Sequence, residues 1–330
     1  VGAGQNGMSN QPTVAVVIPL YNKGPHIDRA LSTVFAQTVP VDEIIIVDDG
    51  STDDGLARVR RWQDPRIRVL ERKEPGPGGY AARNAGIETA ASEWIAFLDA
   101  DDSWRPWALE EIHRLANLAD DNVGTLFTAY DRDYGDHVAP VESFKKMIPD
   151  GTRLFDFAGF AQAWLEVGHS PMWTSAVTAR RSTLIKAGLF PAGKCKRGGD
   201  KDLWLRLLWT ADALGSARPT ASYHRDAVNM VTKTISMNHH PFLCHTLRAL
   251  LPTGDARKDR LIRQLINMEI FTSAKEAFRN EGRIVASVYE GFNWRIDPGL
   301  FAQISAMRLF PRRLLPMLRS IKSWAGARSA

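Results

Sequence analysis

Three carboxylates stand within four residues at Asp99, Asp101 and Asp102, directly after the apolar run Trp94 to Leu98. Such groups repel one another unless a cation or hydrogen-bond donors compensate. Oxygen ligands at that density suit a hard divalent ion, Mn2+ or Mg2+, which can bridge the diphosphate of a nucleotide sugar and neutralise its charge as it departs as a leaving group. A second acidic cluster runs from Asp48 through Asp49, Gly50, Ser51 and Thr52 to Asp53. Alone it is weaker evidence, because any turn capping a helix uses these residue types. Asp49 has the right chemistry to accept the imide N–H of uracil, a donor that cytosine lacks at that ring position. A third polar segment, Pro19, Leu20, Tyr21 and Asn22, follows the run Val14 to Ile18.

The elements that must position these clusters are legible as short β-branched runs alternating with helical periods over the first 130 residues, the pattern of parallel strands joined by crossover helices. Strands are expected at Val14 to Ile18, Glu43 to Val47, Ile67 to Leu70, Trp94 to Leu98 and Gly124 to Thr128. Helices are expected around Ile27 to Phe35, Ala57 to Trp62 and Ala108 to Leu118. Ligands of an open parallel sheet bind beyond the carboxyl ends of its strands, where all three polar clusters fall. From Pro140 to Pro171 the pattern loosens around one aromatic helix, Phe155 to Val167, before a strand at Trp173 to Ala179 and a helix at Asp200 to Thr210. His239 to Trp294 reads as helical, with Leu247, Leu250, Leu251, Leu261, Leu265 and Ile266 as its buried face.

The chain of 330 residues is 44% hydrophobic and 24% charged, a balance that suits a large folded core rather than disorder. Its two cysteines, Cys195 and Cys244, have no metal-ligand spacing and suit a reducing, cytoplasmic setting. The longest apolar runs are too short to span a bilayer. The small polar start ahead of Met8 reads as a tag remnant, which leaves 1–12 outside the fold. The net charge of +5 concentrates at the end, where no Asp or Glu follows Asp297 but six Lys and Arg do. There Leu314, Leu318, Ile321 and Trp324 lie at helical spacing among Arg312, Arg313, Arg319 and Lys322. Two readings stand for that tail: an amphipathic helix on an anionic membrane, at the inner face of the plasma membrane, or a helix packed on the protein with a solvated basic face. Nucleic acid is not an expected partner, because no interleaving of basic and aromatic residues and no binding module is present.

The motifs Val-Val-Ile-Pro-Leu-Tyr-Asn at 16–22, Val-Asp-Asp-Gly-Ser-Thr-Asp at 47–53, Ala-Arg-Asn-Ala-Gly at 82–86, Phe-Leu-Asp-Ala-Asp-Asp at 97–102 and Gly-Gly-Asp-Lys-Asp-Leu-Trp-Leu-Arg-Leu at 198–207 resemble, in order, those of family 2 glycosyltransferases of bacterial type. The resemblance implies a GT-A fold, an α/β Rossmann-like and mainly parallel sheet flanked by helices. That fold would occupy 13–235, with 13–130 as the nucleotide-binding half and 131–235 as the acceptor half, followed by a helical appendage over 236–330. It implies a non-processive, inverting transfer from a UDP-sugar, or another nucleotide-diphosphate sugar, to a hydroxyl on a glycan, lipid-linked or other acceptor, in polysaccharide or lipopolysaccharide synthesis. Pro19 and Tyr21 would then line the nucleotide, Asp49 would meet the uracil, and Arg83 would lie near the base and diphosphate. Asp99, Ala100 and Asp101 would form the DxD element with Asp101 on the metal, and Asp200 would be the general base.

Two departures from the pattern stand out. Gly199 occupies a place where the family often has Glu, which puts acceptor recognition in question. After Tyr223 a usual histidine is replaced by Asp226, so His224 or Asp226 is left to complete a metal shell, unless His224 and Arg225 steady the diphosphate instead. Three rival readings are weighed. Gly76 to Ala81 fits a dinucleotide fingerprint, but it follows the third strand and Pro75 and Pro77 suit a mobile loop over the donor rather than a nicotinamide site. His239, His240, Cys244 and His245 lack zinc spacing. A donor-binding protein without catalysis is the remaining alternative, against which stand Asp101 and Asp200.

Overall fold

The computed structural model describes residues 11–227 and 239–309. These fall into two compact units, one of residues 11–160, 170–195 and 199–227, the other of 161–169, 196–198 and 239–309. The basic segment around Arg312 to Trp324 and the start of the chain before residue 11 lie outside the described residues.

The first unit is built on one sheet. Strands β1 (Val14–Leu20), β2 (Glu43–Asp48), β3 (Ile67–Glu71) and β4 (Trp94–Phe97) lie in the order β3-β2-β1-β4, all parallel. Apart from the edge strand β3, they are apolar almost throughout because both faces are covered, with every residue from Val14 to Ile18 fully buried. The crossovers are α1 (Gly24–Phe35), α2 (Gly55–Val59) and α3 (Tyr80–Thr89). In α1 the spacing of Ile27, Ala30, Leu31 and Val34 puts all four in the core.

Beyond β4 the sheet becomes mixed. β5 is the two-residue Ser103–Trp104, followed by α4 (Ala108–Leu118) and β6 (Val123–Asp133). β7 (Val138–Pro140), α5 (Ser143–Met147), β8 (Thr152–Phe155) and α6 (Phe157–Val167) come next. β9 (Val177–Arg180), α7 (Arg181–Lys186), α8 (Gly199–Thr210) and β10 (Asp212–His224) complete the sheet and its cover. The order continues β4-β9-β6-β10-β5, with β9 antiparallel to both neighbours and β10 parallel to β6. The expected strand from Trp173 is a 3-10 turn over Thr174–Ala176 leading into β9. The thirteen residues of β10 were not anticipated. Gly215 and Pro219 interrupt the run, and the strand absorbs Pro219 through register shifts against β6 on either side of it.

The second unit contains α9 (Phe242–Ala249), α10 (Ala256–Glu281) and α11 (Pro298–Leu309). Asp255 caps α10 by accepting the N–H groups of Arg257 and Lys258, at 2.8 and 3.2 Å. Leu247, Leu261, Leu265 and Ile266 are buried as expected, whereas Leu250 and Leu251 are half-buried. Among the described residues, no helix is long and apolar enough to cross a membrane.

Candidate active site

The parallel register of β1, β2 and β4 brings their carboxyl ends to one edge. There the backbone steps in sequence: Asp49 N–H donates to Leu20 C=O at 2.8 Å and Leu98 N–H to Val17 C=O at 3.2 Å. Asn22, held at φ 49°, ties two of the polar segments together by accepting the Thr52 N–H at 2.8 Å while its own N–H reaches Ser51 Oγ at 3.1 Å. Pro19 faces Val47 across the β1–β2 register, and Tyr21 beyond it is 47% exposed.

Asp49 is buried and both its oxygens are engaged, one by an ion pair with Arg72 and the other by the Gly76 N–H at 2.9 Å. The carboxylate therefore fixes the chain at Gly76, and Arg72 brings a guanidinium to the same place. Arg83, on α3, pairs with Asp99 and donates to Gly78 C=O at 2.8 Å, with its plane 5.5 Å from the Phe190 ring centre. The neighbouring motif residues have structural tasks. Asn84 brackets the Phe190 backbone, donating to its C=O at 3.0 Å and accepting its N–H at 2.9 Å. Gly86 leaves the room that Val17 fills.

At the β4 end, Ala100 is buried and Asp101 takes the Lys23 ammonium at 2.6 Å, while its C=O accepts from Arg29 at 2.7 Å. Asp102 points inward and accepts from Ser175 Oγ at 2.6 Å, Trp173 Nε1 at 2.9 Å and the His224 N–H at 3.3 Å. Burial pushes its carboxyl well above the usual carboxylate range, and the charges of Asp101 and Asp99 add to the rise. Asp99 is raised likewise, first by burial, against the pull of Arg83, with Asp101 adding to it. Each of the three carboxyls thus has compensating donors of its own, Arg83 on Asp99, Lys23 on Asp101, and Ser175, Trp173 and the His224 amide on Asp102. Among the described residues no three His, Cys, Asp or Glu side chains form a ready cage, and an ion held at Asp101 would have to take its other ligands from a phosphate or water.

The two candidates for completing such a shell differ. His224 has both ring nitrogens engaged, Nε2 with Ser103 Oγ at 2.8 Å and Nδ1 with Asp133 Oδ2 at 3.3 Å. Burial, then Arg29, lowers its pKa, so the ring is neutral. Asp226 is half exposed with Arg29 3.9 Å away, and Arg29 also contacts Asp101, so Asp226 is the more available of the two. Asp200 is the second residue of α8, and its charge is felt by Tyr80, Arg83 and Asp99, which places it in the same electrostatic neighbourhood. Lys23, Arg29, Arg72, Tyr80, Trp173 and Ser175 were not singled out from the sequence as site residues. Lys23 and Arg72 were the findable ones, since each directly follows a strand end or the polar segment after it.

Residues 15–165 match the family model described as glycosyl transferase family 2. The succinoglycan biosynthesis protein ExoO of Rhizobium meliloti is 41% identical over 110 residues, 33% of this chain and 30% of ExoO. The matched segments span 30% to 34% of the length of curated relatives of this kind. Among solved structures, S. aureus TarS 1-349 in complex with UDP-GlcNAc superposes with TM-score 0.70 at 16% identity, covering 89% of this chain and 87% of that one. The Pyrobaculum calidifontis mannosyltransferase PcManGT, in complex with GDP-Man and Mn2+, gives 0.55 at 18% identity over 92% and 82%. Residues 15–165 are thus similar to glycosyl transferase family 2, and the architecture is that of the GT-A fold.

Proposed function

We propose that the chain is an inverting glycosyltransferase that moves one sugar per encounter from a UDP-sugar to an acceptor hydroxyl in cell-envelope polysaccharide synthesis. The observation that carries the reading is the meeting of three polar strand ends, Asn22, Asp49 and Asp99–Asp102, with Asp200 close enough to act electrostatically on the Arg83–Asp99 pair. TarS bound to UDP-GlcNAc supports the donor class, PcManGT bound to Mn2+ supports the ion, and ExoO supports the polysaccharide setting.

In this reading Tyr21, Arg72 and the Asp49 region receive the base, while Arg83 and Lys23 meet the diphosphate with positive charge. Asp101 would hold a divalent Mn2+ or Mg2+ ion, with Asp226 more available to help than His224; when bound, the ion would supply charge neutralisation to the departing diphosphate. Asp200 takes the proton of the acceptor hydroxyl as that oxygen attacks the anomeric carbon opposite the diphosphate, so a single displacement inverts the configuration. The reaction belongs on the cytoplasmic side, where nucleotide sugars are made, and contact with the inner membrane face is assigned to the basic tail, outside the described residues.

Replacing Asp200 with Asn tests the central role. Turnover, read as UDP release over a panel of UDP-sugars with Mn2+, is expected to drop by a factor of about 10² to 10⁴, while UDP binding persists. Undiminished transfer by this variant removes Asp200 as base; a wild-type protein that binds every donor and turns over none supports instead the catalytically inactive reading.

A further inference from the structure

The departure at Gly199 has a physical cause in the first unit. A Cβ built on Gly199 would stand 2.7 Å from Pro191 Cγ, 2.8 Å from Tyr80 Cζ and 2.9 Å from Cys195 Sγ, distances that side chains do not tolerate. Its φ is not the cause, because Gly199 is not among the glycines in the left-handed region. Pro191, the Tyr80 ring and Cys195 together exclude a side chain, and the ring also supplies a polar group: Tyr80 Oη accepts the Gly199 N–H at 2.9 Å in a buried hydrogen bond. That N–H is one of the unpaired donors at the start of α8, the helix whose next residue is Asp200.

Tyr80 is placed with equal care at its other end. It is the first residue of α3, immediately after Gly78 and Gly79, which hold φ 74° and 66°. That turn is tied to the donor side by Gly76 N–H on Asp49 and by Arg83 on Gly78 C=O. Tyr80 stacks on Phe190 with ring centres 5.9 Å apart and is 4% exposed, so its hydroxyl has little freedom. Burial, and after it the charge of Asp200, raises the phenol far above its ordinary value, which keeps it neutral.

From this geometry we propose that Tyr80 is the positioning residue of Asp200: its hydroxyl takes over, from α3, the place of the side chain that Gly199 lacks, and fixes the backbone that presents the base. The proposal rests on Asp200 being the base. It also leaves a neutral phenol, and no carboxylate from position 199, beside the backbone that precedes Asp200.

The test compares wild type, Tyr80→Phe, Asp200→Asn and the double variant, with UDP release as turnover and calorimetric UDP binding in Mn2+ as the measure of an intact donor site. Tyr80→Phe keeps the ring and removes only the oxygen. It is expected to lower kcat about tenfold, with UDP affinity and donor KM within about twofold of wild type. Added to Asp200→Asn it should cost nothing further, since a residue acting through the base has no effect once the base is gone. Wild-type kcat in Tyr80→Phe, or the same tenfold loss in the Asp200→Asn background, overturns the role of Tyr80. If Asp200→Asn itself keeps full turnover, the general-base reading fails first and this inference with it; if Asp200→Asn is impaired and Tyr80→Phe is not, only this inference falls.

Discussion

Arg83 joins three groups that a smaller cation could not: the Asp99 carboxylate, the Gly78 carbonyl and the Phe190 ring. A guanidinium forks its donors in a plane, whereas an ammonium is a point charge. Arg83→Lys is therefore expected to keep one contact and to loosen the Gly78 turn and, on the proposed function, to weaken UDP binding about tenfold. Calorimetry of UDP with the variant checks this, and unchanged affinity would remove Arg83 from the donor site. Residue chemistry was readable at the strand ends because carboxylate crowding needs no knowledge of packing. The partners were not readable. Arg72 on Asp49 and Lys23 on Asp101 are separated from them by 23 and 78 positions, and only the closed sheet brings them together. His224 shows the converse. Its type suggested a metal ligand, yet Ser103 and Asp133 occupy both ring nitrogens.

At the scale of elements, the helical periods of α1 and α4 and the apolar runs of β1, β2 and β4 were legible, since period alone fixes which residues turn inward. β10 was not, because Gly215 and Pro219 break the signal that a strand relies on, and β5, two residues long, carries no period at all. Nor was the antiparallel course of β9 visible, because strand direction follows from chain connection rather than from composition. The contact of α3 with β1 gives a further test. A side chain at Gly86 would fall inside the van der Waals envelope of Val17, so Gly86→Ala is expected to cost about 1 to 3 kcal/mol of stability. Adding Val17→Ala should recover part of that loss in a chemical-denaturation experiment. Equal stability of Gly86→Ala and wild type would contradict the close approach.

For the whole molecule, part of the response to acid comes from groups outside the strand-end cluster. His113 is buried, neither ring nitrogen has a hydrogen-bond partner among the described residues, and burial holds its pKa below the ordinary 6.5. As pH falls below 6.5 the unfolded chain takes up this proton before the folded one, so stability declines from there until the lowered folded value is passed. Glu43 and Glu111 follow in the same direction. Burial alone would raise them, but hydrogen bonds from Ser92 and the Ala91 and Ser92 amides hold Glu43 below its ordinary 4.5, and Arg114 and Ser216 do so for Glu111. Their contribution is present above 4.5 and is lost as pH falls through the depressed folded values. These groups should lower the melting temperature in two ranges on acidification, and His113→Phe should reduce the upper loss, to which His26, His224 and His240, lowered likewise, also contribute. A wild-type curve level across both ranges would refute the assignment.

The sheet of the first unit also ends in a telling way. One outer strand, β5, is two residues long, and the other, β3, displays Arg68 and Glu71 to solvent, the latter paired with Arg60. Neither rim offers the long, flat, uncharged backbone template on which a second chain could zip. Copies of this protein crowded together are thereby discouraged from growing into fibrils through these two borders.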